Sequence, residues 1–174
     1  TKKMGATLHS LRSLIQTQKA DLEILDVSNV LQGLTPIMQP ECKRNGIELI
    51  FSNCHEKVHI KANKVLLERI VLNLVANSME AFKAMEHPFT EKFIHVKSAL
   101  VQEGVKPTWQ LTVEDNATGF TEDILKTITD PFVTTKLTGL GVGLSFANLI
   151  LRLWEGSMQV SNRSSAEGGG ALVS

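Results

Sequence analysis

Residues 130–150 read DPFVTTKLTGLGVGLSFANLI, and the fold assignment turns on how this stretch is taken. Pro131 and Phe132 open it, Thr134, Thr135 and Lys136 follow, and Gly139, Gly141 and Gly143 then alternate before the chain turns apolar at Leu144. Glycines at that density reach unusual backbone angles and let another group approach closely. Running straight into a helix, they present free backbone N–H groups at a positive dipole end, which is a seat for phosphate. The same pattern also describes a flexible surface turn ahead of a helix. The rest of the chain has to decide between the two.

Composition narrows the classes. The 174 residues are 43% hydrophobic and 21% charged, enough for one domain with a buried core. Eighteen basic and 18 acidic side chains cancel, so nothing electrostatic points to a nucleic-acid partner. Cys42 and Cys54 have neither metal-ligand spacing nor the density of a disulfide scaffold, and a reducing, cytoplasmic setting is expected. No apolar run reaches membrane-spanning length and no leader pattern opens the chain. Starting at Thr1 and stopping within GGGALVS, the sequence reads as a piece of something longer, whose remainder could include membrane segments.

Along the chain, residues 4–19 carry Leu8, Leu11, Leu14 and Ile15 at helical spacing, with His9 taken as a surface residue. Residues 21–27 alternate as a short strand. Ser28 is expected to cap a helix through about Arg44, with Leu31, Leu34, Ile37 and Met38 inward, Pro36 and Pro40 bending or breaking it, and Asn45-Gly46 ending it. Residues 47–52 and 58–61 read as a strand pair joined by a polar turn. The strongest helix begins near Asn63 and runs to about Ala84, with Leu67, Val71, Leu74, Ser78 and Phe82 on one face. A hairpin over 93–101 and 108–113, helices over 122–127 and 144–154, and a final strand pair over 158–161 and 171–173 complete an α+β pattern: a mostly antiparallel sheet with helices on one face.

Two further features bear on chemistry. Asn73 and Asn77 lie about 40° apart on the strong helix, turned away from its apolar face. Helix interiors disfavour Asn, because its amide competes with the backbone. The pair is either two amides capping a neighbouring loop or a polar stripe on a ligand pocket, where amide oxygens suit a hard cation such as Mg²⁺ whose remaining ligands are water and phosphate. In VEDNATGF, residues 113–120, an apolar strand runs into Asp115 and then turn residues and Gly119. That is an ordinary Asx turn, or a carboxylate on a pocket floor accepting a hydrogen bond from a planar ligand edge.

The order is therefore N-x-x-x-N on a helix, D-x-x-x-G after a strand, P-F-x-T-T-K, then G-x-G-x-G entering a helix. From about Ser28 to Ser174 this resembles the ATP-binding catalytic domain of sensor histidine kinases, within the wider family that includes gyrase, MutL and a heat-shock chaperone. The nitrogen-regulator type of sensor kinase is the most similar. The resemblance implies a two-layer α/β sandwich of Bergerat type over residues 21–174, with residues 1–20 as the end of a dimerisation helix and the acceptor histidine upstream, since His9-Ser10-Leu11-Arg12 lacks the acceptor pattern.

The resemblance also implies roles. Asp115 would accept the adenine amino group with Gly119 near the base; Asn77 would ligate Mg²⁺ and Asn73 line the pocket. Phe132 would anchor a mobile lid, Lys136 reach the phosphates, and Gly139, Gly141 and Gly143 let the lid close and hold phosphate at the helix start, with Thr135 and Leu144 in the same nucleotide-binding segment. ATP, a phosphoacceptor histidine domain, a response regulator and a second copy in a full-length dimer are the implied partners. The ATP-hydrolysing members resemble each other in carrying Glu where this chain has Asn73; lacking that base, the site suits phosphoryl transfer to an external nucleophile. The family commonly has Gly where Ala117 stands, which matters if that position needs φ > 0. A nucleotide-binding module without transferase activity, and a serine kinase of the anti-sigma or mitochondrial type, are the alternatives.

Overall fold

A computed structural model describes residues 22–53, 56–85, 91–103, 106–127, 143–164 and 169–174. The expected helix over 4–19, His9, and residues 128–142 lie outside these described residues.

The chain enters through β1 (Glu23–Asp26) and turns into α1 (Val27–Arg44). Asp26, rather than Ser28, is the cap: its Oδ1 accepts the backbone N–H of Ser28 at 3.0 Å and of Asn29 at 3.3 Å. A carboxylate just outside the first turn can satisfy donors that the helix itself leaves orphaned. α1 runs unbroken through Pro36 and Pro40, against the expectation of a break. The prolines lie four apart on the exposed side, so the carbonyls that lose their N–H partners face water. Leu31, Leu34 and Met38 are buried as expected, but Ile37 is 61% exposed. Asn45 caps the end and Gly46, at φ +66, turns the chain away.

β2 (Ile47–Ser52) and β3 (His59–Ala62) do not pair with each other, which corrects the expected hairpin. β3 runs antiparallel to β1, with Leu25 opposite Ile60, in a two-stranded sheet. β2 runs parallel to β4 (Lys92–Glu103), from Ile47 opposite Lys92 to Ser52 opposite Lys97. Alternation explains the split: Ile47, Leu49 and Phe51 give β2 a full apolar face for the main core, whereas Ile60 and Ala62 join a smaller cluster with Leu25, Val30 and Leu67.

α2 (Lys64–Lys83) is capped by Asn63, whose Oδ1 accepts the N–H of Leu66 at 3.0 Å. β4 and β5 (Lys106–Asp115) form the expected hairpin, and α3 (Glu122–Thr127), α4 (Gly143–Leu153), β6 (Val160–Asn162) and β7 (Ala171–Val173) follow. The main sheet has the order β2-β4-β5-β7-β6, with β2–β4 its one parallel pair. Leu31, Leu34 and Met38 of α1, Ile70, Val71, Leu74 and Phe82 of α2, and Ala147 and Ile150 of α4 all pack with Ile94, Val96, Val113 and Val173 of the sheet. Three helices thus cover one face, and each buried Leu, Ile or Val there contributes about 1.5–3 kcal/mol. The expected two-layer α+β architecture, with a mixed and mostly antiparallel sheet, is what the chain adopts. On the opposite face Lys97 Nζ lies 2.7 Å and His95 Nδ1 3.4 Å from Glu114 Oε1. Burial, with Lys97 nearby, holds the His95 imidazole below its ordinary range.

Candidate functional site

At the end of β5, where the sheet meets α2, Asp115 is only 2% exposed. An ionised carboxylate removed from water needs donors, and three converge on it. Oδ1 accepts the backbone N–H of Ala117 at 3.0 Å and of Ala171 at 3.2 Å, and Oδ2 accepts the Ser78 hydroxyl at 2.6 Å. Burial pushes its pKa up from the ordinary carboxylate range, opposed by those three bonds and by the charge of Arg163. One side chain thereby joins α2, β5 and β7.

The loop that follows is held from two sides. Asn116 accepts the N–H of Phe93 at 2.9 Å through Oδ1 and donates through Nδ2 to the Glu91 carbonyl at 2.9 Å, sealing the start of β4. Gly119 sits at φ +71, and a Cβ there would come within 2.7 Å of Asn162 Oδ1 and 2.9 Å of the Gly170 carbonyl. Asn162 clamps the next residue like a strand partner, accepting the N–H of Phe120 at 2.7 Å and donating to its carbonyl at 2.6 Å. Ala117 is 3% exposed in the main core, and its φ is outside the left-handed region, where among described non-glycine residues only Glu155 lies. The Ala117 methyl therefore imposes no backbone strain.

Asn73 and Asn77 are both half-buried on α2. The Asn73 amide abuts Gly143, the first residue of α4: a Cβ on Gly143 would lie 2.7 Å from Nδ2 and 2.9 Å from Oδ1. One turn earlier on α2, the Arg69 guanidinium stacks over the Phe146 ring at 5.0 Å. The N-terminus of α4, into which the glycine stretch runs, is thus seated on the Asn73 turn. Asn77 follows one turn on, and its neighbour Ser78 is bonded to Asp115. Asn73, Asn77, Asp115, Gly119 and Gly143 are all placed on elements that meet at one end of the sheet, while Leu144 packs half-buried against the main core. Phe132, Thr135, Lys136, Gly139 and Gly141 lie outside the described residues.

The seating of α4 makes a prediction. Alanine at the start of a helix is normally harmless or stabilising, but Gly143→Ala is expected to destabilise by about 1–2 kcal/mol because its methyl displaces the Asn73 amide. In an Asn73→Ala background the same substitution should cost nothing, so a denaturant double-mutant cycle without coupling would refute this contact.

Several residues of this site escape sequence reasoning. Ser78 reads as one more member of an apolar face, with only its hydroxyl as a signal. Asn162, Gly170 and the N–H of Ala171 reach the site from the last hairpin, 42 to 56 residues away in sequence from the groups they bond or crowd. Among the described residues no group of three or more His, Cys, Asp or Glu side chains could enclose a metal ion. An Asn amide oxygen, such as that of Asn77, is a hard ligand of the type Mg²⁺ accepts when phosphate and water complete its shell.

Residues 62–174 match the family described as histidine kinase-, DNA gyrase B-, and HSP90-like ATPase. The chain belongs to this family. Among curated proteins, the chain is 26% identical over 171 residues to the C4-dicarboxylate transport sensor protein DctS of Rhodobacter capsulatus, covering 98% of the chain and 25% of the relative. It is also 26% identical to the sensor protein DctB of Pseudomonas aeruginosa, covering 99% and 27%. The chain thus spans about a quarter of the length of these relatives. Among solved structures, the catalytic domain of the histidine kinase ThkA superimposes with a TM-score of 0.70 at 19% identity, covering 88% of this chain and 93% of that one. Full-length ShkA in complex with AMPPNP gives 0.71 at 22% identity, covering 88% and 30%. No described helix is long and apolar enough to cross a membrane.

Proposed function

We propose that this chain carries the ATP-binding catalytic domain of a two-component sensor histidine kinase over residues 21–174, with residues 1–20 ending a dimerisation helix. The observation that carries this reading is the buried Asp115, hydrogen-bonded to the helix that bears Asn73 and Asn77 and beside which α4 begins. Asp115 offers a carboxylate lone pair to the 6-amino group of adenine. Gly119 lies near the base, its missing side chain letting Asn162 and the Gly170 carbonyl close against the loop. The amide oxygen of Asn77 would hold Mg²⁺, which when bound would neutralise charge on the phosphates. By the family resemblance Phe132 would anchor a lid, and Thr135, Lys136, Gly139, Gly141, Gly143 and Leu144 would supply the phosphate-binding segment that leads into α4.

Asn73 favours phosphoryl transfer over hydrolysis. An amide cannot take a proton from water, so position 73 supplies no base for hydrolysis, which suits a site that works by positioning and electrostatics. The γ-phosphoryl group goes to a histidine outside this chain, on a phosphoacceptor domain of the same dimer or of a partner, and then to a response regulator. ThkA has been solved with the response regulator protein TrrA. The full-length protein places this domain in the cytoplasm. Ala117, buried and outside the left-handed region, gives no structural reason to prefer a binding-only module.

Two measurements test the proposal. ATP with Mg²⁺ should raise the melting temperature, and with labelled ATP the domain should form acid-labile phosphohistidine on a separately supplied acceptor helix pair; a stable phosphoserine product would instead identify a serine kinase. Asn77→Ala should weaken Mg·ATP binding by about tenfold, the scale of one lost charge-assisted contact. In EDTA the variant and wild type should bind ATP alike. Equal affinities with Mg²⁺ as well would remove Asn77 from the metal.

A further inference from the structure

Asp115 has two oxygens with two acceptor positions each. On Oδ1 both are filled, by the N–H groups of Ala117 and Ala171. On Oδ2 the Ser78 hydroxyl fills one. A single acceptor position is left on a carboxylate that is almost wholly removed from water. Ser78 itself is 7% exposed and sits on the turn of α2 directly after Asn77, so its orientation is fixed by the helix and not by solvent.

We infer that Ser78 is a positioning residue for base selectivity: its buried hydroxyl, 2.6 Å from Oδ2, fixes the plane of the Asp115 carboxylate so that the remaining acceptor position meets a 6-aminopurine donor in line. This rests on the reading of Asp115 as the group that meets the base. A 6-amino group donates into the remaining lone pair. A 6-oxo group brings a second acceptor against an ionised carboxylate and is rejected, because a buried polar pair of the same sign is left unsatisfied. The hydroxyl has a second effect in the same direction. By donating to Oδ2 it favours the ionised carboxylate, opposing the burial that favours the protonated one. A protonated Asp115 would present an O–H to the base and accept the 6-oxo group.

Arg163 is the charged group that acts on Asp115, also on the side of ionisation. Glu114, next to it on β5, is paired with Lys97 and His95 on the opposite face of the sheet. Neither takes part in the hydrogen bond that replacing Ser78 removes.

The test compares wild type, Ser78→Ala, Ser78→Thr and Asp115→Asn, measuring the affinity of each for ATP and for inosine triphosphate between pH 5 and pH 8. Alanine is a better helix former than serine, so Ser78→Ala keeps the helix. It is expected to bind ATP about five- to tenfold more weakly at neutral pH, the scale of one buried hydrogen bond to a charged group. Its preference for ATP over inosine triphosphate should shrink. Its loss of ATP binding on acidification should set in at higher pH than in wild type, because the missing hydroxyl no longer holds Asp115 ionised. Ser78→Thr, which keeps the hydroxyl, should restore selectivity and pH profile. If Asp115→Asn abolishes ATP binding while Ser78→Ala retains wild-type affinity, selectivity and pH midpoint, the role of Ser78 is overturned and that of Asp115 stands. If Asp115→Asn binds ATP as wild type does, both are overturned.

Discussion

Asp115→Asn is expected to weaken ATP binding by about 100-fold or more while leaving the domain folded. The loss has two parts. The ionised acceptor disappears, and if the new amide nitrogen takes the place of Oδ2 it meets the adenine amino group donor to donor, leaving a buried polar group unpaired. The fold survives because the amide oxygen can still accept the N–H groups of Ala117 and Ala171, and the Ser78 hydroxyl can turn to accept from the amide. The sign of the charge effect also favours survival. Burial raises the folded pKa of Asp115 above its unfolded value. The native state therefore binds more protons in that window, and the stabilising contribution present below the unfolded value is lost as pH rises through the folded one. At neutral pH wild type bears the cost of an ionised buried carboxylate and the Asn variant does not. Isothermal titration should show the binding loss, and calorimetry a melting temperature within a few degrees of wild type. Retained Mg·ATP affinity in a folded variant would exclude Asp115 as the base-binding group.

Gly170→Ala is expected to be the most damaging single methyl in the described structure. Gly170 has φ +111, and a Cβ built on it lies 1.9 Å from the Asp115 carbonyl oxygen and 2.8 Å from the Asn116 Cα. These are backbone atoms and cannot rotate away, so β7 would have to lift from β5. That movement would break the Ala171 N–H bond to Asp115 and disturb the tight approach of Gly119 to the Gly170 carbonyl. Backbone strain and lost pairing together should destabilise by about 3–4 kcal/mol, or about 10 °C in melting temperature for a domain of this size. The control is the adjacent residue. Gly169 has φ +73 but nothing within 4 Å of its Cβ position, so Gly169→Ala should cost only the conformational term, about 1–2 kcal/mol. Similar melting temperatures for the two variants would mean that the close contact of Gly170 is not maintained in solution.

Most of the element list could be read along the chain because it rests on local periodicity. The 3.6-residue stripe Leu67, Val71, Leu74, Ser78 and Phe82 marked α2 and its buried face, and alternation marked β4 and β5. Partner choice could not be read this way. β2 and β3 are near in sequence and both alternate, yet they entered different sheets, because their apolar faces differ in size and only β2 could cover the main core. The prolines of α1 misled for a related reason: their cost depends on whether the freed carbonyls face water, and exposure follows from packing.

The site divides along the same line. Sequence by itself determined which residue types are available and which share a helix face or a strand end: Asn73 and Asn77 one turn apart, Asp115 at the close of an apolar strand, and glycines running into a helix. Those facts are local, and a repeat of 3.6 or 2 residues is enough to establish them. Only the tertiary structure decided that Asp115 is buried and held by Ser78, Ala117 and Ala171, that Asn162 and Gly170 set the loop after it, and that Asn73 seats the start of α4. These are contacts between elements far apart in the chain. They arise from how two layers pack, and no local pattern encodes which backbone N–H will arrive at which carboxylate.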